Sequence, residues 1–175
     1  MLRIRDATPA DAAAIAEANA AGWRRAYRGL IEDRRLDAIS TKVWARDIRG
    51  TLEDLDEGWF SLVAELDGRF AGSCFVAGPA RDGDLGQEVA ELVGIYVDPP
   101  LWGRGIGTAL LSAAQERAAA DGFDEMVLWT LIGNERAESL YEHLGWQRDG
   151  SERFDPTAKA PTVRMRKPLG TIGTR

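Results

Sequence analysis

Three glycines at alternate positions, Gly103, Gly105 and Gly107, stand between an apolar run that ends at Val97 and an alanine- and leucine-rich stretch from Thr108 to Ala120. Glycine lets the backbone take positive φ and lets a ligand approach it closely. The first N–H groups of a helix lack partners inside the helix, and the helix dipole adds positive potential there. A glycine turn that opens a helix is therefore suited to a phosphate or a diphosphate. Arg104, inside the loop, can add a charge-assisted contact. An ordinary glycine turn before a helix is the alternative.

Other chemistries fit less well. A P-loop ends in Gly-Lys-Ser/Thr, whereas Gly107 is followed by Thr108 with no lysine. A dinucleotide fingerprint is spaced G-x-G-x-x-G and needs an acidic residue after its second strand, but here that strand ends Trp129-Thr130-Leu131. Cys74 is the only cysteine and lies in an apolar stretch, which suits a small buried hydrophobe better than a nucleophile. His143 is the only histidine and reads as a surface residue, and a zinc site of several Cys and His is excluded. Glu91 stands out, because a carboxylate on an otherwise apolar strand is costly without a use. Alternation places Glu91, Val93 and Ile95 on one face. Such a carboxylate has a functional use, sits in water at a strand end or partners an arginine, and Glu88 is a weaker candidate for the first of these.

The elements that must hold these residues follow from pattern. Leu2 to Arg5 suits an edge strand, and Thr8-Pro9 starts a helix that runs through Ile15 toward Asn19 and is interrupted at Gly22. Ser40 caps another helix. Trp59 to Leu66 and Phe70 to Ala77 form a hairpin about Asp67-Gly68. A strand over Val89 to Val97, the helix from Thr108 to Ala120 and a strand over Met126 to Leu131 make a parallel pair with a right-handed crossover. Asn134 opens a helix that Gly145 closes, and Trp146 to Phe154 and Thr162 to Lys167 are final strands. The fold class is α/β, with a mixed sheet and helices on both faces.

The segment Trp102-Gly-Arg-Gly105-Ile-Gly107 resembles the coenzyme A loop of the GNAT superfamily of N-acetyltransferases, whose pattern is Gln/Arg-x-x-Gly-x-Gly/Ala after a strand. Trp102 departs from its first position. Asn134 to Trp146 is similar to the family's Asn-x-x-Ala-x-x-Leu-Tyr-x-x-x-Gly-Phe helix, and Ile4 to Asp11 is common at the family's N-termini. The resemblance spans the chain, with its strong motifs from Glu91 to Trp146.

This resemblance implies the GNAT fold, about seven strands flanked by helices, with the parallel pair splayed apart. It implies acetyl-CoA as co-substrate and no metal. The diphosphate is expected on the amides of Gly103, Arg104, Gly105, Ile106, Gly107 and Thr108, and the pantetheine arm along Ile95, Tyr96 and Val97. A bulge there would aim a backbone N–H at the thioester oxygen. Asn134 binds a pantetheine amide, caps its helix, or does both. Tyr141 falls at the place of the family's general acid, with a core tyrosine as the alternative. The position of Glu91 resembles that of the general base in some members, with a water chain as the alternative. Trp23, Tyr27 and Arg28 fall in helices that wall the family's acceptor pocket, with core packing as the alternative. The activity implied is transfer of acetyl from acetyl-CoA to the primary amine of a small-molecule or peptide acceptor by direct attack in a ternary complex. A non-catalytic acyl-CoA-binding module is the alternative, and a homodimer is in keeping with the family.

Composition adds bounds. The 175 residues fit one domain, expected over residues 1–170 with 171–175 as a flexible tail. Apolar residues at 45% and charged residues at 29% suit a soluble globular chain. With one cysteine, no membrane-length apolar run and no secretory segment, the cytoplasm is the expected location. The net charge of −6 argues against nucleic acid and agrees with a cationic or amine partner, although many acidic proteins have neutral ones.

Overall fold

Asp67 and Gly68 both take positive φ, 52° and 76°, and this turn folds β2 (Phe60–Leu66) back on β3 (Arg69–Ala77). The backbone twist of such a turn matches the twist of the strands it joins. A computed structural model describes residues 1–170, so the expected tail at 171–175 lies outside the described residues. The other strands are β1 (Leu2–Asp6), β4 (Val89–Val97), β5 (Glu125–Leu131), β6 (Gln147–Asp155) and β7 (Ala160–Pro168). The helices are α1 (Ala12–Ala26), α2 (Asp33–Asp37), α3 (Thr41–Glu53), α4 (Ile106–Ala120) and α5 (Glu135–His143). The sheet runs β1-β2-β3-β4-β5-β7-β6, and only β4 and β5 are parallel.

The helix expected to break at Gly22 continues through it to Ala26. There the missing side chain leaves room for the ring of Tyr96, whose Cδ1 is 3.5 Å from where a Cβ would lie. Ser40 caps α3 as its sequence indicates, its Oγ accepting from the N–H of Val43 at 3.3 Å. α4 starts at Ile106, two residues before the expected Thr108.

One buried cluster joins α4 (Ile106, Leu110, Leu111, Ala114) and α5 (Tyr141) to Leu62, Cys74, Leu92, Leu128 and Met165 of the sheet. α1 lies on the opposite face, where Trp23 and Gly22 meet Tyr96. In β4 the register runs from Phe75↔Gly94 to Val76↔Leu92, so Val93 is a bulge with no partner in β3. A bulge inserts one residue and resets the alternation. Leu92, Ile95 and Val97 therefore face the α4 cluster, while Glu91, Gly94 and Tyr96 face α1. This corrects the expectation that Glu91, Val93 and Ile95 share a face. Among the described residues, no helix is long and apolar enough to cross a membrane.

Candidate active site

β4 and β5 are paired from Val89↔Glu125 to Leu92↔Leu128 and then part company. The gap opens into a cavity of about 600 Å³. The cavity reaches from Ala26 and Tyr27 of α1, past Gly94 to Val97 on β4, to the glycine loop, Asn134 and Tyr141. Its size falls within the roughly 300–1,000 Å³ of small-molecule sites.

At one end lies the glycine turn. Gly103 and Gly105 take φ of 83° and 76°, and a Cβ on either would meet nothing within 4 Å, so the turn faces open space. Gly105 N-caps α4 without a side-chain cap, and the helical bonding starts at Ala109 N–H to Gly105 O, 3.0 Å. The amides of Ile106, Gly107 and Thr108 are thus left without intrahelical partners. Trp102 donates its Nε1–H to Val97 O at 2.8 Å, and the guanidiniums of Arg25 and Arg136 lie 5.2 and 4.7 Å from its ring centroid. No carboxylate pairs with Arg25, Arg104 or Arg136 among the described residues, although most of the chain's other arginines are paired. The residue that departs from the loop pattern therefore ties the loop to β4 and gathers two unpaired cations beside it. Asn134 makes no cap bond with its side chain and lines the cavity.

All three tyrosines of the chain line the same cavity. Tyr141 is buried, and burial, together with the nearby Tyr96 phenol, pushes its hydroxyl well above the usual value. Tyr96 is also raised by burial, and its hydroxyl accepts the Trp23 Nε1–H at 2.9 Å. Tyr27 is raised by burial, then by the Tyr96 and Tyr141 phenols, and its ring centroid is 5.0 Å from that of Trp23. At neutral pH all three phenols keep their protons. Trp23 positions Tyr96 without lining the cavity itself.

Residues 23–146 match the family model described as the acetyltransferase (GNAT) family, a span that holds the glycine turn and Tyr141. The chain belongs to the GNAT family of acetyltransferases. It is similar to an uncharacterized N-acetyltransferase of Methanocaldococcus jannaschii, 38% identical over 125 residues, which is 70% of this chain and 52% of that protein. The chain spans about half the length of this curated relative and less than half of several others. Its fold is similar to that of the PaiA N-acetyltransferase of Thermoplasma acidophilum, solved in complex with coenzyme A, with a TM-score of 0.76 at 21% identity over 96% of this chain and 99% of that one. A phosphinothricin acetyltransferase of Sinorhizobium meliloti in complex with AcCoA gives a TM-score of 0.71 at 24% identity, covering 97% of this chain and 89% of that one.

Some residues singled out in the sequence are not brought to the cavity of this GNAT chain. Arg28 turns outward and pairs with Asp33 and Asp37 of α2 at 3.1 and 3.2 Å. Cys74 is buried, its thiol pushed up to about 12 by burial, so it is no nucleophile at neutral pH. Glu91 is 2% exposed, and its two oxygens accept from Arg81 Nε at 2.9 Å and Nη2 at 2.7 Å. Burial alone would raise its carboxyl, but the Arg81 guanidinium and backbone N–H outweigh this and hold it below the usual range. Of the three readings of Glu91, the arginine partner is the one the geometry realises. The sequence does not single out which arginine that partner is; it is Arg81, in the polar loop between β3 and β4.

The Arg81–Glu91 pair has a measurable consequence. Breaking a buried pair costs about 3–5 kcal/mol. Because the Arg81 side chain is 46% exposed, the expected loss for Arg81→Ala is nearer ~2 kcal/mol. A carboxyl held low in the fold stabilises above its unfolded value of 4.5 and loses that contribution as pH falls through its folded value. Urea melts should therefore separate wild type from Arg81→Ala most at neutral pH, with the gap narrowing in acid below the ordinary glutamate range. A gap independent of pH would rule out this account of the pair.

Proposed function

We propose that this GNAT protein transfers the acetyl group of acetyl-CoA to a primary amine by direct attack within a ternary complex. One observation carries the reading: a single cavity links the unpartnered amides at the start of α4 to the protonated phenol of Tyr141. The residues fit the coenzyme. Gly103, Gly105 and the amides of Ile106, Gly107 and Thr108 would hold a diphosphate, with Arg104, Arg25 and Arg136 as cations without carboxylate partners to support it. The edge of β4 beyond Leu92 is unpaired toward β5, so the backbone of Ile95, Tyr96 and Val97 can receive the pantetheine arm, assisted by Asn134.

Bound there, acetyl-CoA supplies an activated acyl carbon at the gap. An alkylammonium, of pKa roughly 10.4, must first lose a proton. Arg81 holds both oxygens of Glu91, so water takes that proton. The amine lone pair then adds to the thioester carbon, and a main-chain N–H beside the bulge at Val93 stabilises the oxyanion. The C–N bond forms, the C–S bond breaks, and Tyr141 gives its proton to the departing sulfur. The remaining amine proton passes to water and Tyr141 recovers its own from solvent, so each turnover releases one proton.

Titration calorimetry of the pure protein with acetyl-CoA and with CoA tests the first half, and thiol release with a panel of amines tests the second. No heat of association for either coenzyme would end the proposal. Coenzyme binding without turnover of any amine would favour an acyl-CoA-sensing module. Arg136→Ala should weaken coenzyme binding by roughly three- to ten-fold, with the loss shrinking as salt is added. Unchanged affinity at low salt would remove Arg136 from the site.

A further inference from the structure

We infer that the acceptor of this site is a monoamine with a flat aromatic body that packs against the indole of Trp129, and that Asp82 is the positioning residue of that indole. The inference rests on the transferase reading above and narrows its substrate class. With the coenzyme entering over the glycine turn, the acceptor is left the α1 end of the cavity, where Ala26, Tyr27, Gly94, Tyr96 and Trp129 form the lining. Leu128 belongs to the α4 cluster, while Leu131 belongs to the cluster against which Tyr27 packs. Alternation along β5 therefore turns Trp129 toward α1.

Each of these three rings is fixed in place. Trp129 donates its Nε1–H to Asp82 Oδ2 at 2.7 Å. Asp82 Oδ1 accepts from Arg153 Nη1 at 2.7 Å, and the Arg153 guanidinium lies 4.0 Å from the Trp129 ring centroid. Arg164, its side chain 5% exposed, bonds Asp84 at 2.8 Å and Asp149 at 2.7 Å, which ties the β3–β4 loop carrying Asp82 to β7 and β6. Tyr96 accepts from Trp23, and its ring lies so close to β4 that a Cβ on Gly94 would meet its Cε2 at 2.9 Å. Tyr27 and Trp23 meet edge to face. Rings held in this way offer a flat guest surfaces to stack on with little ordering cost.

Charge argues against a polycation. Among the described residues, no Asp, Glu or Lys lines the cavity, and Arg136 and His143, which do, both belong to α5. A second ammonium drawn into the cavity would find no carboxylate, and an unpaired buried charge is costly. Aromatic faces attract cations, but the Trp129 ring already has the Arg153 guanidinium at 4.0 Å and that of Arg164 at 5.5 Å. A further cation at this ring would be repelled by both. A neutral ring meets no such opposition, and a single amine that is uncharged when it attacks brings no second charge into the walls.

The test compares phenethylamine and tryptamine with putrescine and spermidine. Thiol release from acetyl-CoA is measured for each, and binding of each to the CoA-loaded protein is measured by calorimetry alongside. The aromatic monoamines should lead by at least about ten-fold in kcat/KM or affinity. Trp129→Leu should raise the KM or Kd for phenethylamine by about ten-fold and leave the KM for acetyl-CoA within about two-fold, whereas Trp129→Phe, which keeps a ring, should recover most of that loss. Asp82→Ala should raise the phenethylamine KM or Kd by about five-fold in the wild-type background, and add nothing in the Trp129→Phe background, where no indole N–H remains to be placed. A merely structural Asp82 would lower the melting temperature in both backgrounds and move neither value. Equal or better performance by the polyamines overturns the inference, as does failure of all four amines to bind or react, or an unmoved phenethylamine value in Trp129→Leu. An equal rise from Asp82→Ala in both backgrounds would remove Asp82 from its positioning role. Failure to bind CoA would instead overturn the transferase reading itself.

Discussion

Replacing Tyr141 with phenylalanine is expected to lower kcat by roughly a hundred-fold or more, since positioned general acids contribute about that much. The ring would stay. Tyr141 packs in the α4 cluster with its centroid 6.1 Å from that of Trp146, and phenylalanine fills the same space. What is lost is the phenol proposed to protonate the departing sulfur, leaving the thiolate to depart unprotonated or to wait for water. Affinity for acetyl-CoA should stay within about two-fold, because the site proposed for the diphosphate is at the other end of the cavity. Burial and the Tyr96 phenol keep the Tyr141 proton in place through the neutral range. The rise of kcat with pH should therefore track loss of the ammonium proton in wild type and variant alike. A variant with wild-type kcat would show that the phenol is only a packed core group.

What could be read from the sequence was what is written in contiguous residues. The glycine turn at Gly103–Gly107, the helix carrying Tyr141 and the Asp67-Gly68 hairpin are each written in a short contiguous stretch, and the parallel pair in one strand–helix–strand run, because turn chemistry and helical spacing are local properties. Long-range features were not legible. The bulge at Val93 exists only in the pairing of β4 with β3, and it moves Glu91 away from the face that strict alternation assigns. Arg81 sits in a polar loop with no pattern of its own, ten residues from the carboxylate it binds. The β6–β7 hairpin packs its Ala158 and Ala160 beside Ile31, Leu36 and Tyr27, a contact between segments more than a hundred residues apart. Trp102 read as a lapse from the loop pattern, and only the packed structure gives it a task, the bond to Val97 O and the two guanidiniums at its ring.

Gly107 offers a test of the cradle that separates space from strain. It lies in the first turn of α4 with no positive φ, so a side chain there strains no backbone. An added Cβ would meet Val97 Cγ2 at 3.6 Å and Leu140 Cδ2 at 3.9 Å, ordinary contact distances. Alanine should therefore fit, bind acetyl-CoA within about three-fold of wild type, and raise the melting temperature slightly, since alanine gains about 1 kcal/mol over glycine in a helix. Valine adds two further carbons in the narrow space between the end of β4 and α5, which is the path proposed for the arm of the coenzyme. Gly107→Val is expected to weaken acetyl-CoA binding by at least about a hundred-fold, or roughly 2.7 kcal/mol, while the protein still melts cooperatively. Calorimetry on the three proteins decides the matter. If valine bound the coenzyme as tightly as alanine, the arm would have to lie elsewhere, and the link between the amides of α4 and the phenol of Tyr141 would be broken.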